Sequence, residues 1–303
     1  MTPEVAARAL TAGGLVILPT ETVYGLAADA ANAEAVARIF EAKGRPHFNP
    51  LIAHVADAAQ AGRIAVLDDR ARRLAEAFWP GPLTLVAPVR DGNAVCDLAR
   101  AGLDSVAVRV PGHVGARAVI SAFGGAVVAP SANRSGRPSP TTFADAMEET
   151  GAFAAAALDG GPCAVGVEST VVSVLDGTVS LLRPGSVTRA EIEAVVGPLT
   201  ESAEGHRSPG RLTRHYAPRA PLRLNAETAR DGEILLGFGP GVGEARWSLS
   251  PSGDLREAAA NLFRLLREAD RNEPAGIAVA AVPEEGLGEA ISDRLRRAAG
   301  FVG

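Results

Sequence analysis

Lys43 is the only lysine of a chain that carries 29 arginines, since its 30 Lys and Arg residues include a single Lys. An ammonium group is a compact point charge whose pKa can be tuned, whereas a guanidinium is a planar fork that stays protonated. A solvated position on a helix face is the alternative for any lysine. Because Lys43 ends a predicted helix and Gly44-Arg45-Pro46 open a loop, we favour a role for Lys43 at a phosphate or a small anion.

Polar residues that a fold alone does not require cluster in five loops. These are Pro19–Leu26, Lys43–His54, Ser105–Pro111, Ala129–Thr142, and Glu168–Thr170 with Leu182–Ser186. Together they supply cations for phosphates, and hydroxyls and amides for an amino-acid-like ligand. Loops of Ser, Thr, Asn, Pro and Gly are often plain turns, Glu168 fits a capping or ion-pair residue, and His54 in a strand fits a core histidine. Arg109 lies in an apolar strand, where a buried Arg needs an anionic partner.

Several familiar catalytic motifs are absent from the sequence. It has no G-x-x-x-x-G-K-[ST] loop, and the run Gly237–Gly243 departs from G-x-G-x-x-G at Val242, so we interpret that run as a flexible turn. The sequence shows no Ser/His/Asp or Cys/His order, no close carboxylate pair and no zinc ligand set, so we expect no metal held by protein ligands. The pattern is typical of an enzyme that positions charged substrates and lets them react.

The elements that must position these loops belong to two predicted units. Helix-period segments alternate with short apolar runs over residues 1–196, which predicts an α/β domain around a largely buried, mixed sheet. Residues 197–221 are rich in Gly, Pro, Ser and Arg, and we interpret them as a basic linker or lid, too polar to pack as core. Residues 222–303 order as strand, helix, strand and helix, which predicts a smaller three-layer α/β domain.

Apolar runs and helical spacing also predict the bounds of individual elements. Strands of the first unit are predicted at 15–18, 51–55, 83–87, 105–110, 126–129 and 169–175. Its helices are predicted after Thr2 and at 32–43, 69–78, 114–123 and 142–150. In the second unit the pattern predicts strands at 234–238 and 277–281 and helices at 254–269 and 288–299.

The composition limits the classes of protein to consider. A hydrophobic content of 47% and a charged content of 21% describe a globular protein with an ample core. No apolar run approaches the ~20 residues that cross a bilayer, and no signal peptide is apparent, so we expect a cytoplasmic protein that does not use a membrane. Cys96 and Cys163 fit two inert thiols. The net charge of -5 argues against a broad surface for nucleic acid.

A series of motifs along the chain points to a known family. In the first unit they are PTETVYGL, KGRP followed by NPLIAH, WPGPLTLV, VAVRVPGH, APSANRSGRPSPTT, VESTVV and LLRPGSVT. In order and spacing they resemble the YrdC-type domain of threonylcarbamoyl-AMP synthases, and SPGRLTRHYAPRAPL with the residues after it resembles the long, two-domain form. The resemblance covers nearly the whole chain. It implies a YrdC-type twisted mixed sheet and a Rossmann-like second domain.

The resemblance also implies the reaction and the partners. L-threonine, bicarbonate and ATP are expected to give threonylcarbamoyl-AMP and pyrophosphate, with Mg²⁺ as the cofactor that accompanies ATP. A downstream machinery is then expected to transfer the threonylcarbamoyl group to an adenosine beside the anticodon of certain tRNAs. Two features depart from the family pattern: Arg211-Leu212 stand where a Met-Lys pair is common, and the second unit is short.

Individual roles follow from the matching positions. Lys43 is expected near the triphosphate and the bicarbonate, as the catalytic residue. The expected L-threonine pocket consists of Thr22, His54, Arg109, Ser131 and Ser169, with Arg109 at the carboxylate. The expected ATP contacts are Arg45, Asn49, Ser105, Asn133, Thr141, Arg183 and Tyr216, the last covering the nucleotide from the linker.

Two alternatives predict different features. An RNA-binding module without catalysis fits a concave basic surface, but it does not fit a net charge of -5 with only two tyrosines, so we do not expect direct, stable tRNA binding. A carbamoyl-adenylate transferase domain of hydrogenase maturation would bring zinc-finger cysteines and an upstream acylphosphatase-like domain. This sequence contains neither.

Overall fold

The computed structural model describes residues 1–46, 49–200 and 215–300. His47, Phe48 and the ranges 201–214 and 301–303 lie outside the described residues, and with them the larger part of the predicted linker at 197–221. The described residues form two sheets, each with its own hydrophobic core and with helices packed against it.

The first sheet has nine strands within the described ranges. They are β1 (Leu15–Leu18), β2 (Gly25–Asp29), β3 (Ile52–His54), β4 (Leu83–Pro88), β5 (Ser105–Arg109), β6 (Val127–Val128), β7 (Ala154–Ala157), β8 (Thr170–Ser173) and β9 (Ser180–Arg183). Their order across the sheet is β7-β1-β2-β6-β3-β5-β4-β8-β9. The pairs β7/β1, β3/β5 and β4/β8 are parallel and the other five are antiparallel. The prediction of a mixed sheet is confirmed.

Eight helices of the described chain accompany this sheet. They are α1 (Pro3–Thr11), α2 (Ala33–Lys43), α3 (Ala58–Ile64), α4 (Asp69–Phe78), α5 (Asp97–Arg100), α6 (Val114–Phe123), α7 (Phe143–Thr150) and α8 (Arg189–Val196). The ends of α2 are well defined: the Asn32 side chain accepts from the amides of Glu34 and Ala35, and Gly44 ends the helix with a φ of 59°. Lys43 is therefore the last helical residue before the loop, as the sequence predicts.

The predicted elements of this domain all occur, and their ends differ from the prediction by at most two residues. The sequence analysis missed β2, β7 and β9, together with α3, α5 and α8. β7 consists of four alanines and β2 begins with Gly25, and both residue types are poor strand formers. These two strands form because β1 lies between them and pairs with both.

The second domain is built on four parallel strands. They are β10 (Leu222–Arg223), β11 (Glu233–Phe238), β12 (Ser248–Ser250) and β13 (Gly276–Val279), in the order β10-β13-β11-β12. Two helices follow the strands, α9 (Leu255–Arg271) and α10 (Leu287–Ala298), and α9 packs on both β12 and α10. Asp254 caps α9 by accepting from the amides of Arg256 and Glu257. The predicted strands and helices of this unit are confirmed, whereas β10 and β12 were missed.

The two domains pack together through α9 and α10. Gly166, with a φ of 79°, lies so close to α9 that a Cβ at this position would come within 2.4 Å of the carbonyl oxygen of Ala259. Val23 and Val167 of the first domain belong to the hydrophobic cluster of the second. Five ion pairs among the described residues also cross the interface. They are Arg267 with Glu149, Arg189 with Glu289, Arg271 with both Asp145 and Glu148, and Arg294 with Glu168.

The predicted fold class is confirmed: an α/β protein with a large mixed sheet and a smaller domain built on a second sheet. None of the helices in the described ranges is long and apolar enough to cross a membrane.

Candidate active site

A pocket lies at one edge of the first sheet, where several strands end or begin. The parallel strands β3 and β5 end side by side, with His54 paired in register with Arg109. β8 runs antiparallel to β5 and begins at this edge, where Ser169 bonds Thr84 of β4 at 2.8 Å. The lining includes Thr20, Thr22, Val23, Gly25, Arg45, Pro50, Leu51, Ile52, His54, Arg109, Ala129, Pro130, Ser131, Glu168, Ser169, Arg183, His215 and Tyr216, around a volume of about 60 Å³.

The structure brings all five residues of the predicted threonine pocket into this lining: Thr22, His54, Arg109, Ser131 and Ser169. Arg109 donates from Nε to the carbonyl of Gly81 at 3.1 Å, from Nη1 to the Thr22 hydroxyl at 3.1 Å, and from Nη2 to Glu21. A guanidinium has five N–H groups, so two remain for a ligand carboxylate.

Glu21 is the anionic partner that a buried Arg109 requires. Burial acts to raise the pKa of Glu21, but the charge of Arg109 and a hydrogen bond from the backbone outweigh it, and the pKa lies below its usual value. The carboxylate is therefore ionised at neutral pH. It holds Arg109 in place at the end of β5.

His54 is neutral at physiological pH. Burial, followed by the positive charge of Arg109, lowers the pKa of His54 to about 3. Nδ1 lies 3.1 Å from the carbonyl oxygen of Ile52, and a carbonyl only accepts, so Nδ1 carries the proton. Nε2 is consequently a hydrogen-bond acceptor. Such an acceptor suits a hydroxyl or an amine of a ligand.

Two further cations of the lining come from the predicted ATP contacts. Arg183, at the end of β9, donates to the carbonyl of Ser169 at 3.1 and 2.9 Å and to its hydroxyl at 3.1 Å. Nε of Arg45 is buried without a hydrogen-bond partner among the described residues. Burial lowers the pKa of Arg45 to about 10, so Arg45 remains a cation at neutral pH. Buried cations that are incompletely paired favour a polyanionic ligand.

The described pocket lining does not include the other predicted residues, which are Lys43, Asn49, Ser105, Asn133 and Thr141. All five are buried. The side-chain oxygens of Asn49 and Asn133 have no hydrogen-bond partner among the described residues. Ser105 begins β5 whereas Arg109 ends it, so the two lie ~13 Å apart along the strand. The roles of these residues stay predictions.

Lys43 does not lie on a solvated helix face, since only 3% of it is exposed. Its Nζ donates to the backbone carbonyls of Ser131 and Asn133, which ties the end of α2 to the loop after β6. Burial, followed by the charge of Arg45, lowers the pKa of Lys43 well below its usual range, although Glu149 and Glu168 act in the other direction. Lys43 thus fixes the loop that carries Ser131, and its catalytic role stays a prediction.

The end of the predicted linker packs into the pocket wall. Tyr216 is 1% exposed, its ring centre lies 5.4 Å from that of Phe263 of α9, and His215 contacts its edge. The prediction that this segment is too polar to pack as core is wrong for His215 and Tyr216, because the aromatic rings find partners in the second domain. Tyr216 has a φ of 66°, a conformation that a bulky residue keeps only where its contacts hold it.

The sequence analysis placed Thr20 and Glu21 in a candidate loop and His215 in the predicted lid, but gave none of them a role at the site. It missed Arg294 as a partner of Glu168. Glu168 is an ion-pair residue, one of the two interpretations that its sequence position allows: it accepts from Nε of Arg294 at 2.8 Å. The signal for Arg294 is its place in α10, where it shares the buried face with Ile291, Leu295 and Ala298. A buried Arg on an apolar helix face indicates an anionic partner elsewhere.

A metal held by protein side chains does not fit this site. Within the described ranges, no group of three or more His, Cys, Asp or Glu residues could hold a metal ion. The carboxylates of Glu21 and Glu168 are each engaged by a buried arginine.

Comparison with known proteins adds the family. The sequence profile of the Sua5, YciO and YrdC family, described as Telomere recombination, matches residues 8–185. A second profile, described as the C-terminal domain of threonylcarbamoyl-AMP synthase, matches residues 187–300. The threonylcarbamoyl-AMP synthase of Bacillus subtilis (strain 168) is 40% identical over 319 residues, which cover 97% of this chain and 92% of the relative. The chain belongs to the threonylcarbamoyl-AMP synthase family.

Solved structures of a second family member share the whole two-domain form. Pyrococcus abyssi Sua5 complexed with L-threonine matches with a TM-score of 0.90 and 39% identity, over 99% of this chain and 94% of that one. A variant of the same Sua5 with an adjacent histidine and tyrosine replaced by alanine matches with a TM-score of 0.89 and 37% identity, over 99% and 93% of the chains. The sequence of the present chain contains a single histidine directly followed by a tyrosine, the pair His215-Tyr216.

Proposed function

We propose that this chain is an L-threonylcarbamoyladenylate synthase. It is a nucleotidyltransferase that condenses L-threonine, bicarbonate and ATP to threonylcarbamoyl-AMP and pyrophosphate, for threonylcarbamoyladenosine modification of tRNA next to the anticodon. One observation carries the proposal. The predicted threonine residues share one pocket with Arg45 and Arg183, in a chain that aligns over 97% of its length with a threonylcarbamoyl-AMP synthase.

The threonine end of the pocket is proposed to lie at Arg109. Arg109 uses three of its five N–H groups in hydrogen bonds to Gly81, Thr22 and Glu21. The other two suit the carboxylate of the amino acid. The hydroxyls of Thr22, Ser131 and Ser169 and the acceptor Nε2 of His54 suit its side chain and amine. A neutral His54 matters because a second cation beside Arg109 would favour anions of any kind over a zwitterion.

Two bonds are made in the proposed reaction. The neutral amine of threonine attacks the carbon of bicarbonate and water leaves, which gives a carbamate. An oxygen of the carbamate then attacks the α-phosphorus of ATP and pyrophosphate leaves. The carboxylate, the carbamate and the triphosphate crowd together, so the site must offset their repulsion.

The charges available for that purpose are Arg45, Arg109 and Arg183, with Lys43 behind the loop of Ser131. Arg45 and Arg183 are proposed to contact the phosphates, and Mg²⁺ is proposed to arrive with ATP. Asn49, Ser105, Asn133 and Thr141 remain proposed nucleotide contacts, and Tyr216 is proposed to cover the nucleotide. Exclusion of water by His215 and Tyr216 would protect a product that water hydrolyses.

The proposed function also involves bicarbonate and an acceptor of the product. Bicarbonate is the proposed source of the carbamoyl carbon. A threonylcarbamoyl-transfer machinery in the cytoplasm is the proposed acceptor of the product, and we do not expect the synthase itself to bind tRNA stably.

The test is pyrophosphate release by the purified chain. With ATP and Mg²⁺ present, we expect release only when L-threonine and bicarbonate are both added, together with an AMP-linked product by mass spectrometry. L-serine in place of threonine and a bicarbonate-depleted buffer are the controls. Equal release without threonine would contradict the proposed function.

A further inference from the structure

Arg294 of α10 is a residue of the second domain that reaches the pocket of the first. It is fully buried, with 0% of its surface exposed. Nε donates to Oε2 of Glu168 at 2.8 Å, and Nη1 donates to Oδ2 of Asp293 at 2.6 Å. The guanidinium carbon lies 5.4 Å from the centre of the Tyr216 ring, within the range of a cation–π interaction. Arg294 therefore contacts two residues of the pocket lining, Glu168 and Tyr216.

Glu168 brings a negative charge into a lining that also holds Arg45 and Arg183. Oε1 accepts from the hydroxyl of Ser139, and Oε2 accepts from Arg294. Burial acts to raise the pKa of Glu168, but the charges of Arg294 and Arg183 and the hydrogen bond from Ser139 hold it below its usual value. An ionised carboxylate at a phosphate site needs a cation of its own, because otherwise it repels the phosphates.

Arg183 is the cation that Glu168 would attract if Arg294 were absent. It lies within electrostatic reach, since its charge already lowers the pKa of Glu168. The attraction between a buried carboxylate and a buried guanidinium is strong because little water screens it. Loss of Arg294 would thus draw Arg183 towards Glu168 and away from the phosphates of ATP.

The domain interface supplies a matched comparison in Arg267 of α9. Its Nη1 pairs with Oε1 of Glu149 at 3.0 Å, and each of these side chains is 3% exposed. Neither residue belongs to the described lining of the pocket. Arg267 therefore shares with Arg294 the burial, the ion pair and the position between domains, but not the contacts with Glu168 and Tyr216.

We propose that Arg294 is a positioning residue for ATP: it neutralises Glu168 and holds the ring of Tyr216 at the pocket, so that Arg45 and Arg183 stay available to the triphosphate. The proposal rests on the synthase function proposed above. It gives the second domain a direct part in substrate binding.

The test compares Arg294→Met with Arg267→Met in the full chain, using pyrophosphate release to measure KM for ATP and for threonine. We expect Arg294→Met to raise KM for ATP by roughly ten-fold or more, the loss typical of one hydrogen bond to a charged group, and KM for threonine by less than about three-fold. Arg267→Met should change both constants by less than about three-fold. Thermal melts should show a loss of stability in both variants, because each removes a buried ion pair. Arg294→Met leaves Glu168 without its ion-pair partner, and Arg267→Met leaves Glu149 paired with Arg137.

Two more variants separate positioning from folding. Arg294→Lys keeps the charge and should recover part of the ATP affinity. Combining Arg294→Met with Glu168→Gln removes both charges, so no buried carboxylate is left unpaired, and KM for ATP should fall from its value in Arg294→Met towards wild type. These two variants decide the matter if Arg294→Met alone does not fold.

Equal rises of KM for ATP in Arg294→Met and Arg267→Met would overturn the proposal, since Arg294 would then only hold the domains together. A double variant that binds ATP no better than Arg294→Met would overturn it as well. The proposal would also fail if the double variant and Arg294→Lys each lost affinity for ATP and for threonine to the same extent. Lack of threonine-dependent pyrophosphate release in the unmodified chain would overturn the synthase function, and this proposal with it. The two failures are distinguishable because the first is seen only in the variants.

Discussion

At the scale of single residues, Arg109 and Arg183 are buried in the lining of the same pocket, at the ends of different strands. Arg109 is held by Glu21 and Thr22 at the end of β5, whereas Arg183 is held by Ser169 at the end of β9. We expect Arg109→Ala to weaken L-threonine more than ATP, and Arg183→Ala to do the reverse. A hydrogen bond to a charged group contributes ~1.5–3 kcal/mol, so each preferred ligand should lose roughly 10- to 150-fold in affinity.

Calorimetric titration of each folded variant with each ligand measures these losses. Circular dichroism of the two variants controls for unfolding, since both substitutions break buried hydrogen bonds. Equal losses of both ligands in both variants would refute the division of the pocket into a threonine end and an ATP end.

Lys43 lies between two carbonyl groups in a space that fits an ammonium. Because Nζ donates to Ser131 and Asn133 at 3% exposure, a longer and planar guanidinium cannot make the same two bonds without moving the loop. We expect Lys43→Arg to lower kcat by roughly two decades or more while the thermal melt remains cooperative. Steady-state kinetics and a melt monitored by circular dichroism check this. Turnover close to wild type would show that Lys43 has neither a positioning nor a catalytic role.

His54 makes the stability of the protein depend on pH. Its pKa is about 3 in the native state and about 6.5 in an unfolded chain, so between these values the unfolded chain binds more protons. The free energy of unfolding therefore falls as the pH falls below about 6.5, and the share of His54 at pH 5 is about 2 kcal/mol. Urea unfolding at pH 7 and pH 5 should show a smaller difference for His54→Asn than for wild type. Identical differences would mean that His54 is solvated in the native state.

The sequence predicts which residues belong to the site better than it predicts which of them form ion pairs with each other. Arg109 stands out because an apolar strand surrounds it, but its partner Glu21 is 88 positions away, and only the folding of the loop after β1 brings the two together. Arg294 has the same property at a greater separation, 126 positions from Glu168. Pairing across such distances depends on tertiary structure, whereas the polar loops at strand ends follow from local pattern.

At the scale of elements, apolar runs predicted the strands that carry His54, Arg109 and the start of β8. Apolar runs did not predict β2 and β7, because alanine and glycine are poor strand formers. These two strands form because each pairs with one side of β1. The consequence for the site is small. The missed strand β2 follows Thr22 and pairs with β1, which holds the loop of Thr20 and Thr22 between two fixed ends.

Tyr216 is the described residue of the pocket lining that we expect to move. The pocket volume of about 60 Å³ is below the roughly 300–1,000 Å³ typical of ligand sites, so we expect part of the lining to shift when ATP and threonine bind. Tyr216 is the best candidate because it lies in the lining with a φ of 66°. We expect Tyr216→Ala to lower turnover, and Tyr216→Phe, which keeps the ring, to retain most of it.

Trypsin cleavage after Arg211 and Arg214, which lie outside the described residues, provides a second measurement. We expect ATP with threonine to slow cleavage at these positions, because a nucleotide covered by Tyr216 would restrain the chain next to them. Cleavage that ignores ligands, together with full activity of Tyr216→Ala, would leave the segment as a spacer.

At the scale of the whole molecule, the hydrophobic clusters divide between the two domains. Three of the four clusters in the described ranges consist of residues before position 200. The fourth belongs to the second domain and takes in only Val23 and Val167 from the first among its buried members. The first domain thus has hydrophobic clusters built from its own residues. At the interface, buried arginines of the second domain form ion pairs with carboxylates of the first.

Residues 1–200 should therefore fold without the rest of the chain but bind ATP poorly. Thr200 is the natural end, since its amide donates to Val179 at 2.9 Å and extends the pairing of β9. Exposure of Val23 and Val167 should lower the melting temperature by a few degrees. Because Tyr216 and Arg294 are both removed, KM for ATP should rise by roughly ten-fold or more, with a smaller change for threonine.

Pyrophosphate release and thermal melts of residues 1–200 and of the full chain measure both effects. An unchanged KM for ATP in the shortened chain would show that neither Tyr216 nor Arg294 acts on the nucleotide, and a chain that fails to fold would show that the first domain depends on α9 and α10 for its core.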